Sequence, residues 1–221
     1  MGTGRVAQVV VVAAGLTLSG CTQLVDGSAT AGFEPGHSAE SSGAPAYKPQ
    51  SCEQLHADQW IEVPGSEPGQ PRVRVAQPPG WDPVPEAAKG VVKLMLRNTA
   101  LGDGVTNPVV SLSTGDVTDG DRTPRELLAD SIKGLESSGG QKLTQERAEI
   151  CEFPAIMASY TIPPDDDRGK TIYVTAVTVM VPLGSRVWNV IAMAQTTVPS
   201  NPTYMADVQV MLAGLRIAMP R

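Results

Sequence analysis

The sequence predicts an α+β domain: an antiparallel β-sheet of about six strands covered by helices. Three observations predict it. Short apolar or alternating segments recur between Gly- and Pro-rich turns, which is the pattern of strands. The late strands follow one another across connections too short for a parallel crossover, so they pair antiparallel. Two longer segments carry apolar residues at helical spacing behind a capping residue and a proline.

Each element has a local reason. Glu53 to Gln59 is expected as a short helix, followed by turns at Pro64-Gly65, Pro68-Gly69 and Pro71. Arg72-Val73-Arg74-Val75 alternates polar and apolar, the mark of a half-buried strand. Pro78-Pro79-Gly80-Trp81 ends it, Val91 to Leu96 is a second strand, and Pro108 to Leu112 a third. Thr123-Pro124-Arg125-Glu126 opens a helix as a capping box, with Leu127, Leu128, Ile132 and Leu135 on one face and Gly139-Gly140 at its end. Strands are then expected over Lys142 to Ile150, Ala155 to Ile162, Thr171 to Val181 and Arg186 to Gln195. Leu183-Gly184-Ser185 forms the tight loop of the last hairpin. Asn201-Pro202 opens a final helix carrying Met205, Val208, Met211, Leu212 and Leu215 at helical spacing.

The chain divides into three stretches. Residues 1–20 have the parts of an export signal: Arg5, an apolar run from Val6 to Thr17, and small residues at the end. That run is too short to span a bilayer, which needs about 20 residues. Leu18-Ser19-Gly20-Cys21 reads as a bacterial lipobox, so Cys21 is expected to carry a diacylglyceryl group and to begin the mature chain. Two acyl chains hold a protein on a membrane stably where one holds it marginally. Residues 21–50 form the lipidated cysteine and a tether rich in Ser, Gly, Ala and Pro, which buries too little apolar surface to order itself. Its typical reach is about 30 Å. Residues 51–221 form a single globular domain. The expected location is the outer face of the plasma membrane.

Charge and cysteines narrow the partners. The chain holds 17 basic and 23 acidic residues. Loss of Arg5 with the signal leaves the net charge one unit more negative than the −6 of the whole chain. Nucleic acid is excluded on this balance, because its binding rests on phosphate neutralisation. Lipidation of Cys21 leaves Cys52 and Cys151. An even pair in an exported protein points to a disulfide, with two separate buried thiols as the alternative.

Chemistry for catalysis is sparse. His37 lies in the tether and His56 in a short helix with no evident partner, and a triad needs nucleophile, base and orienter together. Asp116, Asp119 and Asp121 cluster before a helix N-terminus, where negative charge is favourable anyway. Asp165 to Asp167 read as a solvated hairpin tip. Neither has the ligand spacing of a calcium loop. No catalytic residue, metal or cofactor is expected. Eight methionines against two phenylalanines are more telling. Met95, Met157, Met180 and Met193 in strands, Met205 and Met211 in the last helix, and Trp81 could line an apolar ligand cleft, since thioethers adapt to irregular apolar shapes. The alternative is a core built with few aromatics.

Pro79-Gly80-Trp81, an apolar strand, Asn107-Pro108-Val109-Val110-Ser111-Leu112 and a capped amphipathic helix together resemble the mycobacterial LpqN/LpqT-type lipoproteins. The likeness spans roughly residues 53 to 216, and the lipobox and tether agree with it. The resemblance implies a PsbP-like α/β/α sandwich, an actinobacterial envelope protein, and a non-catalytic role in cell-wall lipid trafficking or host interaction. The expected function is therefore a lipid-anchored binding module for an envelope lipid or an envelope or host protein. A scaffold with no small-molecule ligand is the alternative, and a hydrolase a distant third.

Overall fold

A computed structural model describes residue 52 and residues 57–137, 140–164 and 169–220. Cys21, both histidines and the Asp165 to Asp167 run lie outside the described residues.

The centre is a seven-stranded antiparallel sheet in the order β3-β4-β5-β9-β8-β7-β6. Its strands are β3 (Asp82–Pro83), β4 (Val92–Arg97), β5 (Val109–Asp116), β6 (Gln141–Ile150), β7 (Phe153–Ile162), β8 (Ile172–Leu183) and β9 (Arg186–Thr196). β8 and β9 pair over their whole length, from Tyr173 opposite Thr196 to Leu183 opposite Arg186. Gly184 turns that hairpin at φ 62°, a left-handed conformation that glycine adopts without steric cost.

Both faces of the sheet are covered. Side chains alternate between faces along a strand, so neighbouring apolar residues need two covers. On one face, Val177, Val179, Val181, Trp188 and Val190 pack under α2 (Pro202–Ala213), which contributes Tyr204, Val208, Met211 and Leu212. On the other, Ile156, Ala158, Tyr160, Val174 and Met180 pack under α1 (Pro124–Ser137) through Leu127, Leu128, Ile132 and Leu135. The expected α+β architecture is the one observed.

Both helices begin as their sequences dictate. The Glu126 carboxylate accepts from the Thr123 backbone N–H at 2.7 Å, and Thr123 Oγ1 accepts from the Glu126 N–H at 3.3 Å. Asn201 Oδ1 accepts from the N–H groups of Thr203 and Tyr204, with Pro202 in the first turn. The sheet edges are blunt. β6 reads Gln-Lys-Leu-Thr-Gln-Glu-Arg-Ala-Glu-Ile and is largely exposed, and β3 is two residues long with a proline. Charge, brevity and proline all discourage edge-to-edge association.

Three features differ from expectation. A second, three-stranded sheet joins β2 (Arg72–Ala76) to β1 (Trp60–Glu62) and to β10 (Arg216–Ala218), and it shares the α2 side of the core through Val73, Val75 and Ile217. Its outer strands have three residues each, too short for periodicity to register. The third expected strand runs on to Asp116, because Ser113 to Asp116 continue the backbone ladder against Ile191 to Trp188 despite their polarity. Buried Thr114 there accepts a hydrogen bond from the amide of buried Gln70. The helix expected over Glu53 to Gln59 is not helical at Ala57 to Gln59, and its first four residues lie outside the described residues.

Cys52 and Cys151 are joined, with Cα atoms 4.9 Å apart, well within the span of a disulfide. Cys151 and Glu152 form the two-residue turn between β6 and β7, both at positive φ (53° and 68°). Glycine and asparagine usually take such positions. The Ile217 N–H donates to Cys151 Sγ at 3.2 Å, so the turn is held by β10 as well as by the bridge.

The bridge closes a sequence separation of 99 residues. On the chain-entropy estimate its loss lowers stability by up to about 4.7 kcal/mol. Denaturant midpoints of the wild type and of Cys52→Ser/Cys151→Ser, with and without reductant, measure this. The double variant should match the reduced wild type, and a variant as stable as the oxidised wild type would refute a structural bridge.

Candidate functional site

The turn that ends β2 builds the site. In Pro78-Pro79-Gly80-Trp81 the Trp81 N–H donates to the Pro78 carbonyl at 3.3 Å, and Gly80 sits at φ 80°. Proline followed by a positive-φ glycine is the type II pattern. A side chain at Gly80 would also crowd Asn98, whose Nδ2 lies 3.1 Å from where a Cβ would be. The turn drives Trp81 wholly into the core. Its ring lies 6.4 Å from that of Tyr204 on α2, centroid to centroid.

Trp81 also fixes α2 through a polar contact. Its Nε1–H donates to Asp207 Oδ2 at 2.8 Å. Gln77 Nε2 in turn donates to the Trp81 carbonyl at 2.7 Å. Burial pushes the Asp207 carboxyl above its ordinary pKa, and the Trp81 hydrogen bond opposes that shift.

Beside this contact lies a half-open groove of about 390 Å³. Ala57, Asp58 and Gln59 form one wall, Ala76 to Pro79 the floor, and Asp207 and Val210 the helical wall. Asp207 and Val210 are three residues apart on α2, so they share a face. The lining mixes small apolar surface with two carboxylates and two amides. It offers hydrogen bonds and a shallow apolar seat, and its volume is at the small end for a ligand site.

The seven residues expected to line a cleft are not brought together. Trp81, Met157, Met205 and Met211 belong to the α2-side core. Met180 and Met193 belong to the α1 side. Met95 lies in a third cluster with Val84, Val92 and Val109. Strand alternation is the reason: Met95 sits between Leu94 and Leu96, and Met180 between Val179 and Val181, so each points away from its neighbours' face. Among the described residues these methionines fill core, and no cleft is lined by all seven. None of the set lines the groove, and Trp81 is tied to it by the hydrogen bond to Asp207. Asp207 and Gln77 were missed. The visible signal for Asp207 was the one carboxylate on a largely apolar helix.

In the acidic cluster before α1, Asp116 and Asp119 are engaged within the protein. Asp116 accepts from Arg186 Nε at 2.6 Å and from the Thr118 N–H at 2.9 Å, and Asp119 pairs with Arg122 at 3.1 Å. Arg186 also reaches Glu67 at 3.3 Å, clamping the last hairpin to the turn before β2.

No protein-family model and no curated protein matches the chain. Among solved structures, LpqN of Mycobacterium tuberculosis, described as involved in cell envelope biogenesis, is 21% identical over 72% of this chain and 91% of its own, with a TM-score of 0.59. PA94 of Pseudomonas aeruginosa, of unknown function, is 17% identical over 67% and 91%, at 0.34. Cyanobacterial PsbP from Synechocystis is 12% identical over 77% and 98%, at 0.43. The LpqN likeness shows a shared fold, and the other two are more distant.

Two substitutions test the Trp81 contact. Asp207→Leu leaves a buried indole N–H without an acceptor and should cost about 1–3 kcal/mol. Asp207→Asn keeps an acceptor and should cost far less. A carboxyl whose folded pKa is raised contributes its full stability below the ordinary value of 3.8 and loses it as pH rises through the folded value. Urea midpoints across pH should therefore show Asp207→Asn gaining on the wild type towards neutrality and converging with it in acid. The opposite trend would contradict the assignment.

Proposed function

We propose that this chain is a lipoprotein of the cell envelope whose domain is a non-catalytic binding module. A diacylglyceryl group on Cys21 holds it at the outer face of the plasma membrane. The groove between α2 and Pro78-Pro79 receives an amphiphile's polar part or a short segment of a protein partner.

The observation that carries this reading is the contrast between a filled interior and an open rim. Val208, Met211 and Leu212 of α2 are essentially inaccessible where they meet the sheet. That leaves no room for an acyl chain between helix and sheet, so the ligand is met at the surface, and the groove's polar lining suits a headgroup or peptide. The export signal and lipobox support the location. The fold shared with LpqN, a protein involved in cell envelope biogenesis, is in keeping with it. Among the described residues no helix is long and apolar enough to cross a membrane.

Two experiments test the reading. Cys21→Ala should move the protein from the membrane to the soluble fraction, and mass spectrometry should find acyl mass on the wild type alone. Retention of the variant on membranes would reject the anchor. For the groove, a fluorescent amphiphile should be displaced by an envelope lipid extract or by a partner peptide. Val210→Asp should weaken binding about tenfold, or ~1.4 kcal/mol. Equal binding by wild type and variant would reject the groove.

A further inference from the structure

The outer face of the three-stranded sheet carries a second site. Its register places Glu62, Arg74 and Arg216 side by side across the three strands, with Arg72 beside Ala218 in the next row on that face. Residues directly opposite one another share a face. The opposite face, with Val73, Val75 and Ile217, is buried in the core. Among the described residues, three guanidinium groups thus share this face with one carboxylate, on a protein whose net charge is −6.

The arrangement sets like charges against one another. Like charges directly opposite in a ladder repel, and Arg74 faces Arg216. Among the described residues no ion pair engages Arg72 or Arg74. Arg72 Nε is buried and has no hydrogen-bond partner there. The guanidinium of Arg216 lies over the Trp60 ring, 4.0 Å from its centroid, which fixes its plane. Glu62, Arg72, Arg74, Arg216 and Ala218 enclose a concavity of about 210 Å³.

We propose that this concavity is a phosphate-binding site. Guanidinium groups present their N–H donors in a fork that matches phosphate oxygens two at a time. An anion between Arg74 and Arg216 would also offset their mutual repulsion, while Glu62, opposite Arg74, tempers the attraction for any anion. The phosphate is either a phospholipid headgroup or part of a soluble molecule. The site is separate from the α2 groove and stands whether or not that groove binds.

The test uses the full chain with Cys21→Ala and the Cys52–Cys151 bridge intact, so that no acyl group contributes. Titration with inorganic phosphate should show saturable binding that weakens with added salt. Arg72→Gln/Arg74→Gln should bind at least about tenfold more weakly. Both side chains face away from the core, so its melting temperature should be equal or higher, because repulsion is relieved. Arg74→Lys, which keeps the charge and loses the fork, should fall between. Flotation with phosphatidylcholine vesicles, with and without phosphatidylglycerol, separates the sources. Flotation on anionic vesicles that inorganic phosphate competes away assigns the headgroup, and phosphate binding without flotation assigns a soluble ligand. Absence of saturable phosphate binding, or binding unchanged in the double variant, overturns the proposal.

Discussion

The pairing of β8 with β9 is the constraint on which the rest of the molecule depends. Each strand is apolar at successive positions over much of its length, so the hairpin presents two faces that water must leave. A sheet with one covered face would expose either Val177, Val179 and Trp188 or Val174, Met180 and Ile191. The chain answers with α1 on one side and with α2 and the small sheet on the other. Polar strands then fall to the edges, where β6 meets solvent. Because both interlayer spaces are filled by side chains, any ligand must be met at the periphery.

Two peripheral ties hold the covers in register. Trp81, thrown inward by the type II turn, joins the end of β2 to α2 through Asp207 and Tyr204. The disulfide joins Cys52 to the β6–β7 turn, whose positive-φ residues hold a conformation that L side chains seldom adopt. Ile217 of β10 donates to the same sulfur. The two ties bracket the three-stranded sheet, and both candidate surfaces, the α2 groove and the arginine face, are built on that sheet. The least periodic part of the fold therefore carries both candidate surfaces.

That division explains what could be read from the sequence. The long central strands and both helices were legible because alternation and capping are local signals: Asn201-Pro202 and Thr123-Pro124-Arg125-Glu126 announce themselves. The three-residue strands at Trp60 and Arg216 were not, since both are too short to show a period, and the second pairs with β2 residues more than a hundred positions away. The methionines were misplaced for a related reason. Composition shows that they are numerous, but only the register shows that Met157 and Met180 lie on opposite faces. Arg72 and Arg74 were read correctly as the polar face of a strand. Their meeting with Arg216 is a product of topology alone.

Backbone amide shifts of isotope-labelled protein, titrated with an envelope lipid extract, test most directly the claim that a filled interior confines binding to the rim. The account predicts shifts confined to Ala57–Glu62, the stretch from Arg72 to Trp81, the Asp207–Val210 segment of α2, and Arg216. Shifts centred instead on α1 and on Tyr160, Met180 and Met193 would mean that the sheet opens a cleft beneath that helix, and would contradict it.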